Sequence, residues 1–185
     1  MRRNHWRASL AGQALAADMR AWLTEPASLT ARCQRHCRQF RVRLLNYGPG
    51  RALAAEGLSI TEARQPAVVR EVVLECDSVP VIFAHTTLAM AQRGRLGRWL
   101  ARLGSRSLGS LLFAFPGFRR GDIEFLRLDE RHPLFRRAAA LGEVGRYLWA
   151  RRSAHRLGGQ QVVVTEVFLP AIAHLKRAEK PGDKE

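Results

Sequence analysis

Lysine is almost missing from this chain. It occurs only at Lys176, Lys180 and Lys184, so the balance of 31 basic against 16 acidic side chains, a formal charge of +15, is an arginine surplus spread along the whole length. Such a charge draws polyanions, yet no zinc finger, recognition helix or RNP-like pattern accompanies it. The surplus reads as compositional bias, and no nucleic-acid partner is expected. Cysteine is scarce too. Three thiols, an odd number, argue against a disulfide framework and suit a reducing cytoplasm. Cys33, His36 and Cys37 lie close together, but no second cluster completes a tetrahedral metal site. No apolar run approaches the roughly 18 residues that a bilayer span needs. The basic opening is interrupted by Gln13, Asp18 and Arg20 and reads as an amphipathic helix, not a secretion signal. No glycine-rich loop sits where a strand would feed a helix, which removes the usual phosphate cradle.

What is present is a globular composition, 46% hydrophobic over 185 residues, enough for one domain with a real core. That domain is expected over residues 1–173, with 174–185 a charged tail. Its clearest element is a C-terminal hairpin. Gly158-Gly159 accepts the positive φ angles of a tight turn, and the run from Val162 to Leu169 is β-branched and aromatic. Both faces of that strand are apolar except for Glu166, which shares a face with Val162, Val164 and Phe168. An ionised carboxylate there needs either a raised pKa or a nearby cation.

A second strand, from Val68 to Asp77, offers such a cation. Alternation puts Val69, Glu71, Val73, Glu75 and Asp77 on a face that reads as solvated. Arg70 shares the other with Val68, Val72, Leu74 and Cys76. An interior guanidinium requires an anion and holds carboxylates through a two-pronged fork. Two readings are open. One is a structural Arg70–Glu166 ion pair; the other is an enclosed site in which Arg70 binds a substrate carboxylate and Glu166 handles a proton. His85, on the next strand, either lines the same cavity or is a core histidine.

The remaining elements are read in order. A helix is expected over 9–23, and a short one from Ser28 to Cys33 with Pro26 in its first turn. A strand from Phe40 to Tyr47 is stopped by Gly48-Pro49-Gly50. A connection over 51–66 carries Leu58 and Ile60. Asp77-Ser78 turns into a strand from Pro80 to Leu88. A basic helix over 91–104 has Leu96, Trp99, Leu100 and Leu103 inside, with Arg93, Arg95, Arg98 and Arg102 outside. A short apolar element follows over 108–113, then a strand from Asp122 to Leu128 and a helical turn near 132–140. About six strands in hairpin order with peripheral helices make an α+β protein with one antiparallel sheet.

Several segments together resemble the chorismate pyruvate-lyase family. They are Arg70-Glu71-Val72-Val73-Leu74 with its turn and Pro80, Ser107-Leu108-Gly109 followed by Leu112-Phe113, Arg151-Arg152-Ser153, and above all Thr165-Glu166-Val167-Phe168-Leu169-Pro170. Order and spacing agree over roughly residues 15–172. The resemblance implies a pocket buried against an antiparallel sheet and closed by helical flaps, no cofactor, no metal, and a monomer. It implies elimination of pyruvate from chorismate to give 4-hydroxybenzoate for ubiquinone. By position Arg70 would hold the ring carboxylate and Glu166 the far end of the ligand. Leu108 would help enclose it, and Leu29 would take a flap position where the family often has Met. Many members carry Arg after a small residue on the second strand; Ala84-His85 stands here, which makes His85 a candidate substrate contact.

In that reading Arg70 orients the ring and Glu166 is the general acid/base, although a pericyclic route with Glu166 only binding the hydroxyl is also open. The alternative is a small-metabolite effector domain of the same fold, which binds without reacting. Transient contact with a membrane surface or a membrane prenyltransferase, through the basic helix, is compatible with catalysis.

Overall fold

The structure, a computed structural model, describes residues 5–53, 66–90, 95–108, 117, 119–157 and 159–175. These residues build one antiparallel sheet of seven strands: β1 (Phe40–Arg51), β2 (Pro66–Cys76), β3 (Val79–Ala89), β4 (Arg119–Arg120), β5 (Glu124–Leu128), β6 (Leu148–Leu157) and β7 (Gln160–Phe168). Their spatial order is β1-β2-β3-β7-β6, with β4 and β5 sharing the outer edge of β6. Around it lie α1 (Ala17–Leu23), α2 (Leu29–Gln34), α3 (Arg95–Arg102), α4 (Pro133–Ala139) and a closing 3-10 turn, Pro170–His174. The α+β expectation holds, with the two-residue β4 as the extra strand. Leu58, Ile60, Arg93, Gly158, the short apolar element beyond Leu108 and the tail from Lys176 lie outside the described residues.

Both hairpins form where the turn chemistry asks for them. Asp77 and Ser78 have φ of 50° and 68°, the two left-handed positions of a type I′ turn, and Asp77 Oδ1 accepts from the backbone N–H of Arg38 and Gln39. Gly159 has φ of +77° between β6 and β7. Several boundaries differ from the sequence reading. Strand β1 runs through Gly48-Pro49-Gly50 to Arg51, because it ends the sheet order and a proline on an outer strand need not donate to a ladder. There Gly50 passes so close to β2 that a Cβ would sit 2.8 Å from Val69 Cγ2. Helix α1 begins only at Ala17. Gly12, at φ +69°, breaks the segment before it; Arg20 then donates to the carbonyls of Leu10 and Gln13 and folds that segment back so that Leu10 still reaches the core. Ser28 caps α2 at the Ala31 N–H, which leaves Pro26 ahead of the helix and not in its first turn.

The sheet is covered on both faces. On one, Phe83, Leu126, Leu148 and Val167 pack under Leu134, Phe135 and Ala138 of α4. This is the face on which Glu71 and Glu75 read as solvated. It is not solvated: Val73 is fully buried, Glu75 pairs with Arg43, and Glu71 is paired by His85 and by Arg137 from α4. A central strand alternates charged and apolar residues here because each acid has its own cation, not because it meets water. On the other face two apolar clusters lie at opposite ends of the strands. One joins Leu74, Ile82 and Phe168 to Trp22, Leu23 and Leu29; the other joins Leu88, Val162 and Val164 to Leu96, Leu100 and Leu103 of α3.

Leu134 is 0% exposed. Leu134→Ala should lower unfolding stability by about 2–5 kcal/mol, the range for a cavity in a packed core, read from urea unfolding. A loss below about 1 kcal/mol would mean that α4 is not part of the cooperative core.

Candidate active site

Between those two clusters the sheet floor turns polar. Strand register sets it out in two adjacent rows: Arg70–Thr86–Val164–Ser153 and Val72–Ala84–Glu166–Arg151, read from β2 through β3 and β7 to β6. Ala27, Ser28, Leu29 and Thr30 cover it from the start of α2, and Ser107 and Leu108 from beyond α3. The Thr30 and Ser107 hydroxyls hydrogen-bond at 2.5 Å, joining the two covering segments. The result is a pocket whose walls are mostly aliphatic and whose ionisable groups are Arg70, Arg120, Arg151, His155 and Glu166.

Register also decides which arginine meets Glu166. Arg70 is two strands away, roughly 10 Å at the usual strand spacing, whereas Arg151 lies directly across from Glu166 on β6. Arg151 Nε donates to Glu166 Oε2 at 2.7 Å, and its Nη1 donates to the carbonyls of Leu23 and Glu25. The Arg70–Glu166 ion pair is therefore not formed. The cation that Glu166 needs is Arg151, which is 2% exposed. Arg70 instead donates through Nη2 to the carbonyls of Gly104 and Arg106, while its Nε is buried without a hydrogen-bond partner. Burial lowers its pKa to about 10, which leaves it charged at neutral pH. No carboxylate pairs with Arg70 among the described residues.

Of the five residues singled out from sequence, Arg70, Glu166, Leu29 and Leu108 line this pocket together. His85 does not. It is one position out of phase with Ala84 and Thr86, so its ring lies on the opposite face, where Nδ1 meets Glu71 at 2.8 Å. Burial pushes Glu71 up, but the His85 hydrogen bond and the charges of Arg137 and His85 outweigh it and leave Glu71 below the ordinary carboxylate range. Cys33, Cys37 and Cys76 are buried free thiols; burial, with the Cys76 hydrogen bond, pushes Cys37 up to about 12. His36 is turned away from them, edge-on to Trp22 with Nδ1 on the Arg32 carbonyl.

Sequence reasoning passed over Arg151, Arg120, Ser153 and His155 as site residues. The signal for Arg151 and Ser153 was available, since the two-residue hairpin fixes which β6 residue faces Glu166. Arg120 arrives from the two-residue β4, for which no alternation can be read. Its Nε donates to Ser153 Oγ at 3.2 Å, and Ser153 Oγ lies 3.0 Å from His155 Nε2. Burial first, then the neighbouring Arg120 and Arg151 charges, lower the His155 pKa to about 4.

Fold and site define a class of protein: a single-sheet α+β domain with a pocket, lined by arginines, between the sheet and its helical covers. Among solved structures it is similar to PhnF from Mycobacterium smegmatis (TM-score 0.53, 17% identity, 85% of this chain and 70% of that one). It is also similar to the effector domain of PhnF (TM-score 0.50, 19% identity, 78% and 89%). At such identities these show the fold alone. The family is settled by sequence: the chain belongs to the chorismate lyase family, whose model matches residues 1–178. A probable chorismate pyruvate-lyase of Dechloromonas aromatica is 68% identical over 176 residues, covering 95% of this chain and all of that one. One from Methylobacillus flagellatus is 43% identical over 165 residues, covering 87% and 92%.

Two outcomes follow from these contacts. Arg151→Met leaves the Glu166 carboxylate without its cation and should cost about 3 kcal/mol of stability, part of which returns in the Arg151→Met/Glu166→Gln double variant. Urea unfolding of the three proteins checks this; additive losses would show that the pair is not coupled. An unfolded imidazole protonates near pH 6.5, whereas the folded His155 does so only near 4. Between those values the unfolded state binds the extra proton, so stability falls as pH drops through that window. His155→Gln should flatten the slope of unfolding free energy across pH 6.5 to 4.

Proposed function

We propose that the pocket eliminates pyruvate from chorismate and leaves 4-hydroxybenzoate. The observation that carries this is the placement of Arg70 and Glu166 on one aliphatic-walled floor, with the guanidinium free of any carboxylate partner among the described residues and the carboxylate held by Arg151. Chorismate has a ring carboxylate, a hydroxyl opposite it, and an enolpyruvyl ether on the carbon next to that hydroxyl. Arg70 takes the ring carboxylate through its uncommitted donors. Glu166 then lies toward the hydroxyl and ether end.

The reaction breaks the ring carbon–ether oxygen bond. The electron pair leaves with the enolpyruvyl oxygen, the ring carbon bearing the hydroxyl loses its hydrogen as a proton, and the ring becomes aromatic. The departing enolate gains a proton at its methylene carbon and becomes pyruvate. Because Glu166 is ion-paired to Arg151, it enters as a carboxylate, the form that accepts a proton; it then returns that proton to the enolate. Aliphatic walls strengthen the Arg70 contact by excluding water. No redox change occurs, and the resemblance assigns no cofactor to the family.

Leu29 and Leu108 act as apolar covers of the ring. The product is a precursor of ubiquinone, and the setting we infer is a cytoplasmic monomer that hands 4-hydroxybenzoate to a prenyltransferase at the membrane. Exposed Arg98 and Arg102 on α3 support contact with an anionic surface. No helix among the described residues is long and apolar enough to cross a membrane.

Purified protein with chorismate and a chelator should release pyruvate and 4-hydroxybenzoate in equal amounts. Arg70→Ala should lower kcat/KM by at least a hundredfold, and Glu166→Gln should lower kcat by 10²–10⁴-fold, the usual worth of a positioned acid/base. Near-wild-type turnover in Glu166→Gln would remove the proton-transfer role. A protein stabilised by 4-hydroxybenzoate in thermal melting, yet releasing no pyruvate from chorismate, would be a binding domain.

A further inference from the structure

The pocket carries more positive charge than one carboxylate can use. Three guanidiniums line it, Arg70, Arg120 and Arg151, against one carboxylate, Glu166. His155 is neutral near pH 7, so the lining holds two net positive charges. Each arginine can be followed to its partners. Arg151 is committed to Glu166 and to two backbone carbonyls. Arg70 is assigned to the ring carboxylate. Arg120 remains. Its Nε and Nη1 hydrogen-bond to neutral oxygens, Ser153 Oγ and the Pro26 carbonyl, and no carboxylate pairs with it among the described residues. Two of the five N–H donors of a guanidinium are thus accounted for.

Burial and the neighbouring Arg151 charge oppose a second cation at this point more than the nearby Glu166 and Glu25 charges favour it, and Arg120 is held there nonetheless. A guanidinium in such a crowd, with no carboxylate paired to it among the described residues, suits a bound anion. The place is also right. Ser153, which braces Arg120, ends the row that begins with Arg70, three strand spacings or roughly 14 Å across the floor. Arg70 and the Ser153-bound Arg120 therefore line the pocket from opposite ends of one row, with Glu166 and Arg151 in the adjacent row.

We propose that Arg120, positioned by Ser153 and the Pro26 carbonyl, binds the enolpyruvyl carboxylate of chorismate, the second of the substrate's two negative charges. This deepens the reading of the pocket as a chorismate site and rests on it. The consequence is selectivity. Substrate carries both carboxylates and engages both arginines; 4-hydroxybenzoate retains only the ring carboxylate and engages Arg70 alone. Arg120 also holds the leaving group while the ether bond breaks, and its hold on the pocket ends when pyruvate departs.

The test separates the two ends of the ligand. Chorismate kinetics and direct titration with 4-hydroxybenzoate are measured for wild type, Arg120→Gln, Arg120→Lys and Arg70→Gln. Arg120→Gln should raise the chorismate KM roughly tenfold to a hundredfold, the range of a lost charge-assisted hydrogen bond. It should change the 4-hydroxybenzoate Kd less than threefold, and Arg120→Lys should recover part of the substrate affinity. Arg70→Gln should weaken both ligands. Equal weakening of both ligands in Arg120→Gln would make Arg120 merely structural and overturn the assignment, as would an unchanged chorismate KM. Wild-type protein that neither binds nor turns over chorismate would instead overturn the functional reading itself.

Discussion

Everything around the pocket is tied to one buried ion pair. Arg151 and Glu166 face each other across β6 and β7, and the same guanidinium holds the carbonyls of Leu23 and Glu25 between α1 and α2. A charge this deeply enclosed is tolerated only when its donors are satisfied, and here the partners come from two distant parts of the chain, β7 and the end of α1. The pair therefore ties two things together: the register of the hairpin and the position of the α1–α2 link against the sheet. Arg32 adds to this frame, bonding Glu25 and lying over the Trp22 ring at 4.1 Å.

The ligand space exists because the apolar contents of one sheet face are divided. Phe168 and Ile82 close one end of the strands, and Val162 and Leu88 the other, each under its own helices. The two rows between them carry Arg70, Thr86, Ser153, Glu166 and Arg151, side chains that do not pack densely against aliphatic helices. The polar floor is thus framed by stable core on both sides. Its groups are held in place by clusters that gain their stability from apolar burial. The opposite face is filled differently, by the apolar cluster under α4. Its charges, Glu71 with His85 and Arg137, and Arg152 with Glu124, are paired among themselves.

Electrostatic excess sets the character of the pocket: three guanidiniums line it against one carboxylate. On the proposed assignment, that surplus favours a ligand with two negative charges over one with a single charge. The same arginine bias that gives the chain its +15 charge therefore has two meanings. On the surface of α3 it is solvated; at Arg70, Arg120 and Arg151 it lines the pocket.

Local pattern alone determined the β6–β7 hairpin, the β2–β3 hairpin with its Asp77-Ser78 turn, the apolar face of α3, and the inward direction of Arg70 and Glu166. Each depends on alternation or on turn residues a few positions apart, which a sequence displays directly. Helix α1 was overextended because the apolar spacing from Leu10 continues through Gly12, and only the Arg20 contacts show that Leu10 is buried by a folded-back segment. His85 is a candidate contact through the resemblance, because it stands where many family members carry Arg; a shift of one residue along a strand reverses the face, and its ring meets Glu71 on the other side of the sheet. The tertiary structure alone decided that Glu166 belongs to Arg151 and not to Arg70, that Glu71 and Glu75 of β2 are each paired to a cation, and that Arg120 joins the site. The reason is common to all three: which strands are neighbours, and in what register, depends on pairings between residues far apart in the chain, and no local period encodes it.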